Sequence, residues 1–167
     1  MAEKMSADGP SKQLLLQKIY IKDLSFESPR APEIFQGSVA PQTQLNIRSS
    51  AKLVGTDTQE VTLTLTVEAR DNDKTLFLVE LEQAGVFLIQ GYTEEEQQML
   101  VGSYCPGTLY PFAREAISDM VTRGGFPQLL LQPINFDALY AQAVQERLKG
   151  NGGKGAAAAK DTPGGFN

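Results

Sequence analysis

Four segments of this chain alternate apolar and polar side chains with a period of two, and short turns separate the last three. The cleanest is residues 61–70, where Val61, Leu63, Leu65, Val67 and Ala69 alternate with Thr62, Thr64, Thr66, Glu68 and Arg70. A pleated strand sends successive side chains to opposite faces, so this pattern specifies a strand with one packed side and one wet side. Residues 45–53 repeat it before a Gly-Thr-Asp-Thr turn, and residues 75–89 repeat it after a second tight turn at 71–74. Turns this short leave only hairpins, hence an antiparallel sheet. The first segment, residues 16–28, shows Tyr20, Lys22, Leu24 and Phe26 on one side and Ile21, Asp23, Ser25 and Glu27 on the other. On the fourth, Leu76, Leu78, Glu80 and Glu82 share a side opposite Phe77, Val79, Leu81 and Gln83, and Gly85 marks a bulge or bend.

Between the first two strands, residues 29–41 hold Pro29, Pro32, Pro41 and Gly37, too long a connection for a hairpin and suited to crossing part of the sheet. Beyond the sheet, residues 93–101 form a short helix or turn with Glu94, Glu95 and Glu96 at its start, where the helix dipole favours acids. A longer helix is expected over 106–123. Its stripe is Leu109, Phe112, Ala113, Ala116, Ile117, Met120 and Val121, with Pro106 in the first turn and Gly124-Gly125 as the stop. Residues 126–134 are extended around Pro127 and Pro133 yet carry Phe126, Leu129, Leu130, Leu131 and Ile134. Such a loop either roofs the core or walls an apolar groove. Asn135 caps a last helix bearing Phe136, Leu139, Tyr140, Ala143, Val144 and Leu148, which ends at Gly150.

A sheet followed by helices is an α+β layout, with the four-stranded antiparallel sheet covered on one face by two main C-terminal helices. Two helices barely cover four long strands, so a second copy of the chain is expected. Residues 14–149 form one domain, flanked by a flexible tail at 1–13 and a disordered Gly/Ala/Lys-rich tail at 150–167.

Composition removes several chemistries. The chain has no His and a single Cys, Cys105, which excludes histidine bases and serine triads and leaves almost no ligands for zinc or iron. No metal, no cofactor and no enzymatic activity are expected. Fifteen basic residues against twenty acidic ones argue against nucleic acid as the partner and favour a basic one. No apolar run reaches bilayer-spanning length and residues 1–13 lack a signal-peptide pattern, so a cytoplasmic protein is expected. Asp23 and Glu27, with Leu78 beside Glu80 and Glu82, read as a docking spot for a basic, partly apolar surface or as a solvated sheet face.

The runs IYIKDLSFESPRAP, TLFLVELEQAGVF, SYCPGTLYPFARE and GGFPQLLLQPINFDALY resemble SecB, the bacterial protein-export chaperone family, across roughly residues 17–148. The resemblance implies an ATP-independent holdase that keeps preproteins unfolded and delivers them to the motor SecA. It also implies a homotetramer built from two dimers. By position, the client groove is Leu45, Ile47, Phe126, Tyr140 and Val144; the SecA-docking patch is Asp23, Glu27, Leu78 and Glu80; and the oligomer interface is Val79, Leu81 and Gln83. Three departures accompany it. Val39 stands where relatives often carry a crossover Trp, Thr43 where some are apolar, and the C-terminal tail lacks the usual acids. The competing reading is a small apolar-ligand carrier or an unrecognised hydrolase with a closed pocket under the 126–134 loop.

Overall fold

The computed structural model describes residue 9 and residues 11–150, and the expectations for the remaining terminal residues lie outside that range. β1 (Gln13–Glu27), β2 (Gln42–Gly55), β3 (Thr58–Asp71) and β4 (Lys74–Gln90) form one antiparallel sheet in the order β1-β4-β3-β2. The β2–β3 and β3–β4 hairpins turn through Asp57 and Asn72, both with left-handed φ near 50°, a conformation that short polar side chains tolerate. Residues 28–41 carry the chain from one sheet edge to the other and contain a single turn of 3-10 helix, Glu33–Phe35. The expected crossover is this segment.

The side of the sheet that packs is set by β3 and β4. Val61, Leu63, Leu65, Val67 and Ala69 are fully buried, as are Val79 and Phe87, with Leu81 and Ile89 almost so. On the edges the pattern needs correction. β1 carries irregularities between Leu16 and Lys18 and between Ile21 and Asp23. Each extra residue reverses the alternation. Ile19 and Ile21 therefore pair beside Gly85 and Gln83, in register with Leu24 and Phe26, while Tyr20 and Lys22 reach the polar side to meet Glu60. A third irregularity, between Thr75 and Phe77, takes Leu76 out of the acidic row and into the core, where it is 2% exposed. Gly85 is neither bulge nor bend, since β4 pairs straight through it. A Cβ there would lie 2.9 Å from Leu109 Cδ2, so the glycine allows a helix to approach the sheet.

α1 (Glu94–Met99) opens with a capping box, Thr93 accepting from the Glu96 amide and Glu96 from the Thr93 amide. It does not stop before α2 (Cys105–Arg123). A π-turn, Leu100–Tyr104, joins the two, with the Cys105 amide bonded back to Leu100. Pro106 lies in the first turn of α2 as expected, directly after this π-turn, where its missing N–H meets an already widened ladder. α2 buries Leu109, Tyr110, Ala113, Ile117 and Val121, whereas Phe112, placed on the buried stripe from its spacing, is 46% exposed. Gly124 and Gly125 end the helix as expected. Gly125 has φ +87°, its amide bonds Thr122, and the Phe126 amide bonds Val121, the double closure of a Schellman motif.

The 126–134 loop divides its apolar residues. Leu131 is buried, Leu129 and Ile134 are half-buried, and Leu130 is 64% exposed. The Tyr110 hydroxyl donates to the Gln132 carbonyl and ties the loop to α2. α3 (Phe136–Gly150) starts from Asn135, whose side chain accepts from the Ala138 amide. Only Phe136 of α3 is buried. The helices thus cover the middle of one sheet face and leave its β2 side and the outer surface of α3 open.

Candidate functional site

β2 is an edge strand, and three of the five expected groove residues meet along it. Leu45 and Ile47 pair with Val67 and Leu65, which fixes them on the packed side of the sheet at the rim of the core. Opposite them stands α3, and the space between is an open groove of about 490 Å³ whose lining includes Leu45, Ile47, Ala51, Val101, Phe136, Leu139 and Tyr140. Gln98, Gln142, Glu146 and Arg147 edge it. From Leu45 to Ala51 it follows roughly 20 Å of strand. Val144 is half-buried on α3 outside this lining.

Phe126 lies elsewhere. It packs 4.8 Å from Phe77, 5.4 Å from Phe35 and 6.4 Å from Phe26, ring centre to ring centre. This cluster gathers β1, the crossover, β4 and the loop, and Phe35 at 49% exposed is its solvent face. Val39 is exposed as well, so the crossover's aromatic contribution comes from Phe35. Sequence reasoning missed Phe77 at the base of the cluster, because that residue lies far from the other rings in the chain. Gly124 is part of the same construction, since a Cβ there would fall 2.1 Å from the Phe26 ring.

The acidic residues sit on the other face of the sheet. Strand register puts Glu27 opposite Leu78, Ser25 opposite Glu80, and Asp23 opposite Glu82. The four expected docking residues therefore occupy three neighbouring rows, and Asp23, Glu27 and Glu80 are exposed. Two further acids extend the rows: Glu82 itself, and Glu68 opposite Leu78 on β3. Glu68 was visible as a wet residue of its strand, but its neighbours depend on how strands pair.

Next to this acidic end is a polar cluster that the alternation did not reveal. Glu60 on β3 accepts from the Tyr20 hydroxyl and from Lys22 Nζ at 2.7 Å, with Lys52 Nζ at 3.6 Å. It joins β1, β3 and β2 across β4, where the small Ala84 stands opposite Tyr20. Hydrogen bonds from Lys22 and then Tyr20 hold its carboxyl down at about 2, outweighing its burial. The Tyr20 phenol is raised in turn, chiefly by its bond to Glu60.

Val79, Leu81 and Gln83 are 0%, 1% and 3% exposed within the single chain. Gln83 Nε2 donates to the Tyr20 carbonyl. They are core residues on the packed side of the sheet, so they offer no free surface for a direct contact with another subunit. The expectation of direct contacts is corrected accordingly. The hollow beside the loop, about 820 Å³ between β1, α2 and Leu130, is an open trough, and Glu115 and Asp119 on its lining are exposed rather than converging. Among the described residues no group of His, Cys, Asp and Glu could hold a metal ion, and no helix is long and apolar enough to cross a membrane.

Comparisons with known proteins match this architecture. The family model of SecB, described as preprotein translocase subunit SecB, matches residues 7–147. The protein-export protein SecB of Nitrosococcus oceani is 50% identical over 147 residues, which cover 87% of this chain and 90% of that protein. Its counterpart in Halorhodospira halophila is 45% identical, covering 85% of this chain and 82% of that one. In Thioalkalivibrio sulfidiphilus the identity is 45% and the coverage 92% of each. Among solved structures, a SecB-like chaperone of Mycobacterium tuberculosis, in complex with a ChAD peptide from the HigA1 antitoxin, superposes with a TM-score of 0.61. It shares 20% identity over 72% of this chain and 90% of that one, which is a likeness of fold. A four-stranded sheet of this order, the helices over one face and identity near half over most of the length lead to one conclusion: the chain belongs to the SecB family of protein-export chaperones.

Proposed function

We propose that this chain is an ATP-independent holdase that keeps preproteins unfolded in the cytoplasm and hands them to SecA. The observation that carries the reading is the groove between β2 and α3, open at the surface and lined by Leu45, Ile47 and Tyr140. An extended polypeptide laid along it shields a few apolar side chains per copy, and occupying the surface that drives collapse keeps the client unfolded. The aromatic cluster at Phe126 and Phe35 provides a second apolar contact. Val144 contributes by backing the α3 wall. Several weak contacts on one flexible chain then combine into useful affinity while each stays tolerant of sequence.

The polar face of the same sheet serves SecA. Asp23, Glu27, Leu78 and Glu80 present charge and one apolar side chain to a basic partner, and they lie on the face opposite the groove. Client and motor therefore need not exclude each other. In the tetramer, a dimer of dimers, α2 and the π-turn before it meet another subunit with exposed Phe112 and Tyr104, and Val79, Leu81 and Gln83 act by seating α2. Among the described residues the hollow beside the 126–134 loop is an open trough, which speaks against a carrier or hydrolase with a closed pocket there.

Two arms of one experiment test this reading. Aggregation of an unfolded preprotein is followed with wild type, with Asp23→Lys/Glu80→Lys, and with Ile47→Asp/Tyr140→Ser, and SecA binding is measured in parallel. The first variant loses SecA binding and keeps suppression; the second does the reverse. If suppression is equal in all three, the groove assignment fails, and undiminished SecA binding by the first removes the patch.

A further inference from the structure

The two walls of the groove are held very differently. Leu45 and Ile47 are fixed by their register with Val67 and Leu65 in the sheet. α3 buries only Phe136, whose ring meets Tyr110 edge-on at 5.6 Å. Its other anchors come from the π-turn. An ideal Cβ on Gly102 would lie 2.4 Å from Cδ2 and 2.6 Å from Cε2 of Tyr140, so that ring rests directly on the backbone of residue 102. One residue later, the buried Ser103 hydroxyl donates to the Asp137 carboxylate in the first turn of α3.

We propose that Gly102 and Ser103 are positioning residues that set the distance of α3 from β2, and so the size of apolar side chain the groove accepts. The inference rests on the groove being the client site. Gly102 is the floor on which Tyr140 lies. Any side chain there displaces the ring by about an ångström, since ordinary contact with a Cβ begins at 3.4 Å and the nearest ring atom would lie at 2.4 Å. The ring is itself groove wall, so its displacement alters the space facing Leu45 and Ile47. Ser103 fixes the helix start, which stops α3 from rolling to relieve the clash. π-turns interrupt helices preferentially at functional positions, and here the interruption carries both contacts.

The test is a four-way cycle of wild type, Gly102→Ala, Tyr140→Leu and the double variant. Each binds fluorescent nine-residue extended peptides that differ only in carrying Ala, Leu or Phe at alternate positions. Ala in place of Gly favours the helical backbone, so folding is not the expected casualty. Gly102→Ala weakens the Phe peptide by about tenfold and the Ala peptide far less, and in the Tyr140→Leu background the loss falls below about twofold. Equal losses in both backgrounds, or equal losses for all three peptides, overturn the proposal.

Amide exchange supplies the second readout. Ser103→Ala speeds exchange in α3 several-fold and leaves β3 unchanged, and Asp137→Asn, which still accepts the bond, behaves as wild type. Unaltered α3 exchange in Ser103→Ala overturns the positioning role even where peptide binding changes. A wild-type protein that binds none of the peptides overturns instead the groove reading and the selectivity built on it.

Discussion

Replacing Glu60 by Gln removes one negative charge and keeps the shape of the side chain, which isolates the electrostatic part of the cluster that crosses the sheet. In the folded protein the carboxyl lies at about 2, against 4.5 when unperturbed. At 1.36 kcal/mol per pH unit this difference is a ceiling of about 3 kcal/mol. Lys22, its largest source ahead of Tyr20, is 39% exposed and Lys52 63%, so water and salt reduce it. About 1–2 kcal/mol is the expected loss at pH 7. The sign follows from the depressed folded value: the contribution is complete above the unfolded value of 4.5 and disappears as pH falls toward 2. Urea unfolding of wild type and Glu60→Gln, at equal protomer concentration because assembly adds to stability, reads this directly. The gap between them shrinks to less than about half of its neutral value by pH 3. A gap that is the same at both pH values refutes the electrostatic account and assigns Glu60 to packing. A gap under a few tenths of a kcal/mol refutes the cluster's role altogether.

Two further perturbations address other sites. Gly124→Ala puts a methyl group into the Phe26 ring and costs about 1–3 kcal/mol; chemical unfolding measures it, and in the Phe26→Leu background most of that cost vanishes if the clash is its source. Cys105 is fully buried and its thiol is pushed up to about 12 by desolvation, so a thiol reagent at pH 8 labels the native protein only at the rate of opening, and rapid labelling would place that residue outside the core.

The site was legible in the sequence to unequal degrees. Leu45, Ile47 and Tyr140, grouped from the resemblance to SecB, line one groove because a strand and a helix each present a regular apolar face and the two faces meet there. Phe126 was expected beside Leu45 and Ile47 but packs apart from them, among Phe26, Phe35 and Phe77, which come from three other segments that nothing local joins. Val79 and Leu81 were read as contacts between subunits, whereas the helices of their own chain cover the sheet face that carries them. Glu60 was passed over because its partners Tyr20 and Lys22 reach it only after the β1 irregularity reverses the alternation.

What the sequence by itself determined is what depends on neighbours within a few residues. The strands of both hairpins, the turns at Asp57 and Asn72, the stop at Gly124-Gly125 and the Asn135 cap all follow from such local rules. Tertiary structure alone decided the features that depend on contact between distant segments. β1 pairs with β4 rather than β2. Gly85 admits Leu109 and Gly102 admits Tyr140, so both glycines answer to close approach and not to a turn. In the loop, Leu131 goes inside while Leu130 stays out. The physical reason is the same each time: periodicity states which face of an element is apolar, but only packing against a particular partner says what covers it, and where the cover stops and a groove begins.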